Sequence, residues 1–236
     1  MNNSKNVDFY FGITENKIYI CFFDNEKSRL KNTVNFEIPG SLNSNLNFKL
    51  ITTLLKENIR KLEKDLGFFL NNGYISVKSK TYQNILFSVK DIYDERKLDK
   101  EVIIKLVKGA MQEFYNSEKN LTILHVIINK YVVDDKVYNI FPEWKKFKKI
   151  VLEIELICLN KNLINKLTKL FNECKIDVKK IISHDYAKKF LNENKDDTLC
   201  LSAYKIINGA NQSEVILIEN TEEKHSLFDR IFNFFD

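Results

Sequence analysis

Glycine and proline are scarce in this chain, with six glycines and two prolines in 236 residues. No two glycines are adjacent, which excludes a glycine-rich phosphate cradle and a glycine-rich catalytic scaffold. The same scarcity leaves little punctuation from which to read linkers. Cysteine is also sparse. Cys21, Cys158, Cys174 and Cys200 stand far apart and none forms a CxxC pair, so they read as buried free thiols in a reducing compartment. Three histidines, His125, His184 and His225, lie far apart with no HxxxH spacing, and no metal site is expected. No apolar run approaches the roughly 20 residues of a membrane-spanning helix. The first seven residues are short and polar rather than a secretory leader. Arginine-rich and RNA-binding motifs are lacking, so no nucleic-acid partner is expected.

The chain is 44% hydrophobic and 29% charged, enough to bury a real core and too apolar for a disordered protein. Its net charge of +5 is unevenly placed. From Glu219 onward five acids (Glu219, Glu222, Glu223, Asp229, Asp236) oppose only Lys224 and Arg230. The tail is therefore acidic and the body more basic than the total suggests. The expected localisation is cytoplasmic, with at most a peripheral attachment to the inner face of the cell membrane.

The last eleven residues carry the most pronounced pattern. Wound as a helix at about 100° per residue, Leu227, Phe228, Ile231, Phe232, Phe234 and Phe235 fall within one arc of roughly 160°. Ser226, Asp229, Arg230, Asn233 and Asp236 occupy the other arc. Such a face goes either onto the protein's own core or into a membrane surface. A polar stretch over 218–225 separates it from what precedes. A second feature is Trp144-Lys-Lys-Phe-Lys-Lys149. Its lysines, Lys145, Lys146, Lys148 and Lys149, read either as protection of a strand edge or as an anionic contact.

The rest alternates strands and helices. Strand signals fall at 9–13, 18–23, 34–38, 73–77, 84–89, 121–128, 131–133, 151–157 and 178–182; helical periodicity falls at 51–66, 98–115, 163–174 and 198–207. Gly67 and Gly209 stand as helix stops. The expectation is a mixed α/β chain without internal repeats. Asp134-Asp135 reads as a turn, His125 as a structural residue in a strand, and Ser183-His184-Asp185 as neighbours in sequence and not a triad.

Three stretches, in order, resemble the bacterial cell-division family FtsA, actin-like membrane adaptors. They are Ile123-Leu-His-Val-Ile-Ile-Asn-Lys-Tyr-Val-Val-Asp-Asp135; the run from Val151 to Leu191 with Cys174-Lys-Ile-Asp-Val178 and Ile182-Ser-His-Asp-Tyr-Ala187; and the helix from Leu199 to Ala210, followed by a linker and an amphipathic end. The resemblance implies a truncated actin-like (ribonuclease-H-like) half with an inserted small α+β subdomain. Residues 1–79 and 150–212 would form the actin-like part, 80–149 the insert used for partner and polymer contacts, 213–225 a linker, and 226–236 a membrane-targeting helix. The family's first phosphate turn reads Asp-x-Gly-Thr/Ser-Thr. Here Gly12 and Thr14 keep their places, and Tyr10 stands where the carboxylate belongs. A neutral, bulky phenol cannot take the role of a metal- and phosphate-side carboxylate near pH 7. The family's second phosphate turn has no counterpart, since the sequence passes from Leu191 within a few residues to the closing helix. No nucleotide, cofactor or enzymatic activity is therefore expected. The leading expectation is a division adaptor at the inner face of the membrane, partnered by FtsZ or later division proteins and by its own copies. The alternatives are a PilM-like pilus-assembly scaffold that binds a membrane protein's cytoplasmic tail, and a residual actin-like ATPase.

Overall fold

The computed structural model describes residues 8–24, 29–38, 48–143, 146–191 and 198–216. The amphipathic segment 226–236, the 217–225 stretch before it, Trp144 and Lys145 lie outside them. The chain forms two compact units.

The first unit is built on a five-stranded sheet. Strands β1 (Phe9–Ile13), β2 (Lys17–Asp24) and β3 (Arg29–Glu37) form an antiparallel meander. Helix α1 (Phe48–Leu66) then crosses over, and β4 (Asn72–Val77) returns parallel to β1. β9 (Asp177–Ser183) lies parallel to β4, so the order is β3-β2-β1-β4-β9. Parallel neighbours need such helical crossovers, and the sheet is accordingly covered on both sides. Every residue of β1 is buried, and its alternation sends Phe11 to one face and Tyr10 and Gly12 to the other. Phe11 meets Phe171 of α3 (Lys161–Glu173) edge-on at 4.7 Å. Helix α1 buries Ile51, Leu55, Ile59 and Leu62 at helical spacing and ends at Gly67, whose φ of +77° is the left-handed stop suited to glycine. The opposite face of the sheet carries α5 (Thr198–Ile207).

The second unit is a four-stranded antiparallel sheet with one helix. β5 (Gln83–Lys97), β8 (Lys146–Asn160), β6 (Leu121–Val133) and β7 (Lys136–Tyr138) pair in that order. Helix α2 (Lys100–Ser117) places Val102, Val107, Ala110 and Phe114 in a core with Phe147, Ile150, Leu152, Ile154 and Leu156 of β8. Asp99 caps the helix by accepting from Val102 N at 3.0 Å, and Arg96 steadies that carboxylate at 3.2 Å.

Three expected boundaries need correction. The insert does not end at 149. The basic run 146–149 is the outer end of β8, which continues to Asn160 as a central strand paired on both edges. A central strand cannot be divided between units, so 150–160 belongs to the second unit, whose main segment is Thr81–Lys161. The linker does not begin at 213 either. Residues 211–216 also join the second unit, where Ile128 N donates to Ser213 O (3.0 Å) and Val215 N to Val126 O (2.9 Å). Finally, 121–128 and 131–133 form one strand, β6, whose register shifts at Ile128/Lys130. The exposed Asn129 and Lys130 at that irregularity break the apolar pattern and make it read as two strands.

Candidate functional site

β1 and the turn after it hold Tyr10, Gly12 and Thr14, the residues that the resemblance sets against a phosphate turn. Thr14 leaves the sheet and closes a turn on Lys17. Its hydroxyl accepts from Lys17 N at 2.9 Å, while its own N–H donates to Lys17 O at 2.9 Å. The side chain is thus engaged locally, as threonine hydroxyls in turns often are. Gly12 faces α5. A Cβ built at Gly12 would stand 2.6 Å from the Cβ of Leu199. The missing side chain therefore lets the helix seat on the strand.

Tyr10 belongs to the same packing. Its ring stacks on Tyr74 at 5.4 Å and meets Tyr204 edge-on at 5.7 Å, and Tyr204 in turn stacks on Phe23 at 4.2 Å. The Cys200 thiol donates to Tyr10 O at 3.3 Å. Four aromatic rings from β1, β2, β4 and α5 form a continuous layer of the offset and edge-on contacts that aromatic pairs favour. Burial, with help from the Asp8 carboxylate, pushes the Tyr10 phenol well above its ordinary pKa. It is held neutral. The signal that could have located α5 here was the small residue Gly12 between large ones, which reads equally well as a phosphate-binding glycine.

His184 opens α4 (His184–Ala187) and is buried. Its Nδ1 lies 3.3 Å from Ser202 Oγ, and that hydroxyl donates to Leu199 O at 2.8 Å. Ser183 accepts from Tyr186 N at 3.3 Å as a helix cap. Ser183 and His184 thus serve separate structural contacts, and Asp185 is exposed. Burial lowers the His184 pKa, with Asp185 opposing and the Lys78 and Lys188 cations reinforcing. Among the described residues no three His, Cys, Asp or Glu side chains gather as metal ligands. The cysteines are free thiols, and burial raises Cys158 to about 12 and Cys174 to about 11, which leaves them protonated and unreactive near neutrality.

In the second unit, Asp134 and Asp135 have φ of +46° and +65°. They form the two-residue turn between β6 and β7, a conformation that suits a tight hairpin. Asp134 accepts from the Lys148 and Lys149 amides at 3.0 and 2.9 Å, and those bonds hold its carboxyl below the usual range. The expected lysine cluster is partly paired. Lys149 Nζ lies 2.8 Å from Asp135 and Lys148 Nζ 3.8 Å from Glu95. Lys146 is exposed.

The contact that the sequence did not suggest is His125 with Glu214. His125 Nδ1 lies 2.8 Å from Glu214 Oε1, with side chains 0% and 5% exposed. Glu214 forms an antiparallel bridge with Ile127. A lone acid at the head of the apolar run Glu214-Val-Ile-Leu-Ile218 is the one sequence hint of a buried carboxylate.

The meander, two parallel returns, an inserted unit between β4 and α3 and the closing helix α5 together decide the architecture. The fold is actin-like. No family model and no curated protein matches the chain. Solved structures similar to it include the cytoplasmic domain of EpsL, an inner-membrane component of the type II secretion system of Vibrio cholerae. That likeness has 8% identity over 80% of this chain and 61% of that one, with a TM-score of 0.39. Another is the PilM–PilN type IV pilus biogenesis complex, with 8% identity over 78% and 49% and a TM-score of 0.49. A third is a Bacteroides thetaiotaomicron protein of actin-like ATPase fold and unknown function, with 11% identity over 79% and 56% and a TM-score of 0.33. The chain spans about half to three-fifths of the length of these structures. The cell-division family that the segment resemblance suggested is not among these three. Among the described residues no helix is long and apolar enough to cross a membrane.

Proposed function

We propose that the protein is a non-enzymatic actin-like scaffold of a membrane-bound assembly, of the kind PilM represents. In this reading it holds the cytoplasmic tail of a membrane protein and performs no nucleotide chemistry. The observation that carries it is the engagement of all three phosphate-turn residues elsewhere. Thr14 closes its own turn, Gly12 seats Leu199, and Tyr10 stacks in an aromatic layer. A phosphate needs free amides or hydroxyls and a nearby cation to replace its hydration, and this turn supplies a neutral phenol instead. Titration of the full chain with Mg-ATP is expected to give no saturable heat. Micromolar binding that disappears in Thr14→Val would establish a working phosphate turn and overturn the proposal.

A second reading, a direct membrane adaptor of the FtsA type, is favoured by the face separation of Leu227, Phe228, Ile231, Phe232, Phe234 and Phe235. At about 1–2 kcal/mol per inserted apolar side chain, a few insertions give weak attachment. In liposome co-sedimentation this reading expects Phe232→Glu and Phe235→Glu to release the protein. Any dependence on anionic lipid should map to Lys145, Lys146, Lys148 and Lys149. Variants that sediment like the wild type, or that melt much earlier, would instead place the segment on the protein's own core.

A further inference from the structure

β5 is a sheet edge of an unusual kind. Natural edges are commonly short, or interrupted by proline, bulges and inward charges, because unpaired N–H and C=O groups invite another strand. β5 has fifteen residues and no proline, and its register with β8 is unbroken from Gln83 to Ile92. The irregularity comes only after Ile92, near Glu95 with its φ of +47°. Among the described residues no strand pairs with its outer edge.

The exposed face of β5 carries Asn84, Leu86, Ser88, Lys90 and Ile92. Leu86 is 74% exposed and Ile92 66%. Large apolar side chains at that exposure on a regular edge strand call for an occupant, and their spacing says which. Leu86 and Ile92 are placed symmetrically about Val89. If a second β5 pairs antiparallel about a twofold axis at Val89, each Leu86 faces the other copy's Ile92, and each Ser88 faces Lys90. On the other face Ile85 meets Tyr93, and Phe87 meets Asp91. No like charges oppose each other, and Asp91 is already matched by Lys105 at 2.8 Å within its own copy. No other register sets Leu86 against Ile92. Centring on Ser88 sets Leu86 against Lys90, centring on Lys90 sets two ammonium groups face to face, and centring on Asp91 does the same with two carboxylates. Cross-strand pairs of this kind decide which register a sheet adopts.

We propose that two copies of this chain join through β5, antiparallel about Val89, to make one continuous eight-stranded sheet with a self-complementary, twofold interface. The pairing does not depend on how the phosphate turn is used, so the Mg-ATP titration and the test below fail independently.

The test is sedimentation velocity on the full chain from about 5 to 100 µM, a range that spans a weak interface. The wild type is expected to shift from monomer to dimer across it. Leu86→Asp and Ile92→Lys should each raise the dimer dissociation constant at least about tenfold by burying a charge against an apolar partner. The double variant Leu86→Asp/Ile92→Lys should recover most of that loss, because the new carboxylate and ammonium then face each other twice across the axis. Both positions are exposed, so circular-dichroism melts of dilute monomer should coincide with the wild type. A wild type that stays monomeric, as it would if β5 served a different protein's strand, overturns the proposal. Indifference to either single change, or no recovery in the double variant, does so too.

Discussion

Glu214→Ala is expected to destabilise the second unit by about 3–5 kcal/mol, the range for removing one partner of a buried pair and leaving the other without its match. The paired groups are His125 Nδ1 and Glu214 Oε1, 2.8 Å apart and almost wholly shielded from water. His125→Ala should cost a similar amount, since it strands the carboxylate instead. The double change His125→Phe/Glu214→Leu is expected to recover much of the stability, because an apolar pair of similar volume removes the desolvation problem together with the attraction. Urea unfolding would measure the stability, and amide exchange at Ile128 and Val215 would report the attachment of residues 211–216 directly, since Ile128 N donates to Ser213 O at 3.0 Å and Val215 N to Val126 O at 2.9 Å. Single variants as stable as the wild type would mean that the pair is solvated in solution. That would sink the view that residues 211–216 are locked onto β6.

Gly12→Ala is expected to lower stability by about 1–3 kcal/mol, as overpacking in a closed core does. The added methyl would meet Leu199 Cβ at 2.6 Å, and a Cβ cannot swing aside as the end of a long side chain can. The test is a double-mutant cycle with Leu199→Gly. Each single change is destabilising, but the double variant should be more stable than their sum predicts by roughly 1 kcal/mol or more, the signature of residues in contact. If Gly12 served a phosphate instead, Gly12→Ala would leave the melting temperature unchanged and act only on nucleotide binding. That outcome would remove the main support for a scaffold without nucleotide chemistry.

Local pattern was a good guide where one periodicity dominates. The apolar stripe Ile51, Leu55, Ile59 and Leu62 with Gly67 behind it marks α1, because a half-buried helix must repeat its apolar face every turn and then stop. The same holds for α2 and α3, and for the strand–turn–strand of β1 and β2. Strand ends were harder to read. β5 was visible only at 84–89, since Lys90 to Lys97 is rich in charge; on an edge strand the outer positions stay in water, so polarity there carries no penalty. The start of β8 is hard to read for a different reason: the strand is central, but Lys146 and Lys148 on one of its faces are exposed in alternation with a buried Phe147.

The candidate site divides in the same way. That Tyr10 is neutral and bulky, that it stands two positions before Gly12 where a phosphate turn would carry its carboxylate, and that 226–236 separates into two faces are properties of residue type and spacing, and the sequence by itself determined them. What those residues touch was decided by tertiary structure. Gly12 is compatible with a phosphate or with a helix until Leu199, 187 positions away, arrives against it. His125 is an isolated histidine until Glu214 reaches it from a segment that follows α5. The physical reason is common to both. Periodicity arises from interactions within a turn or a strand pair, whereas the use of a buried glycine or carboxylate depends on which distant group closes off the water around it.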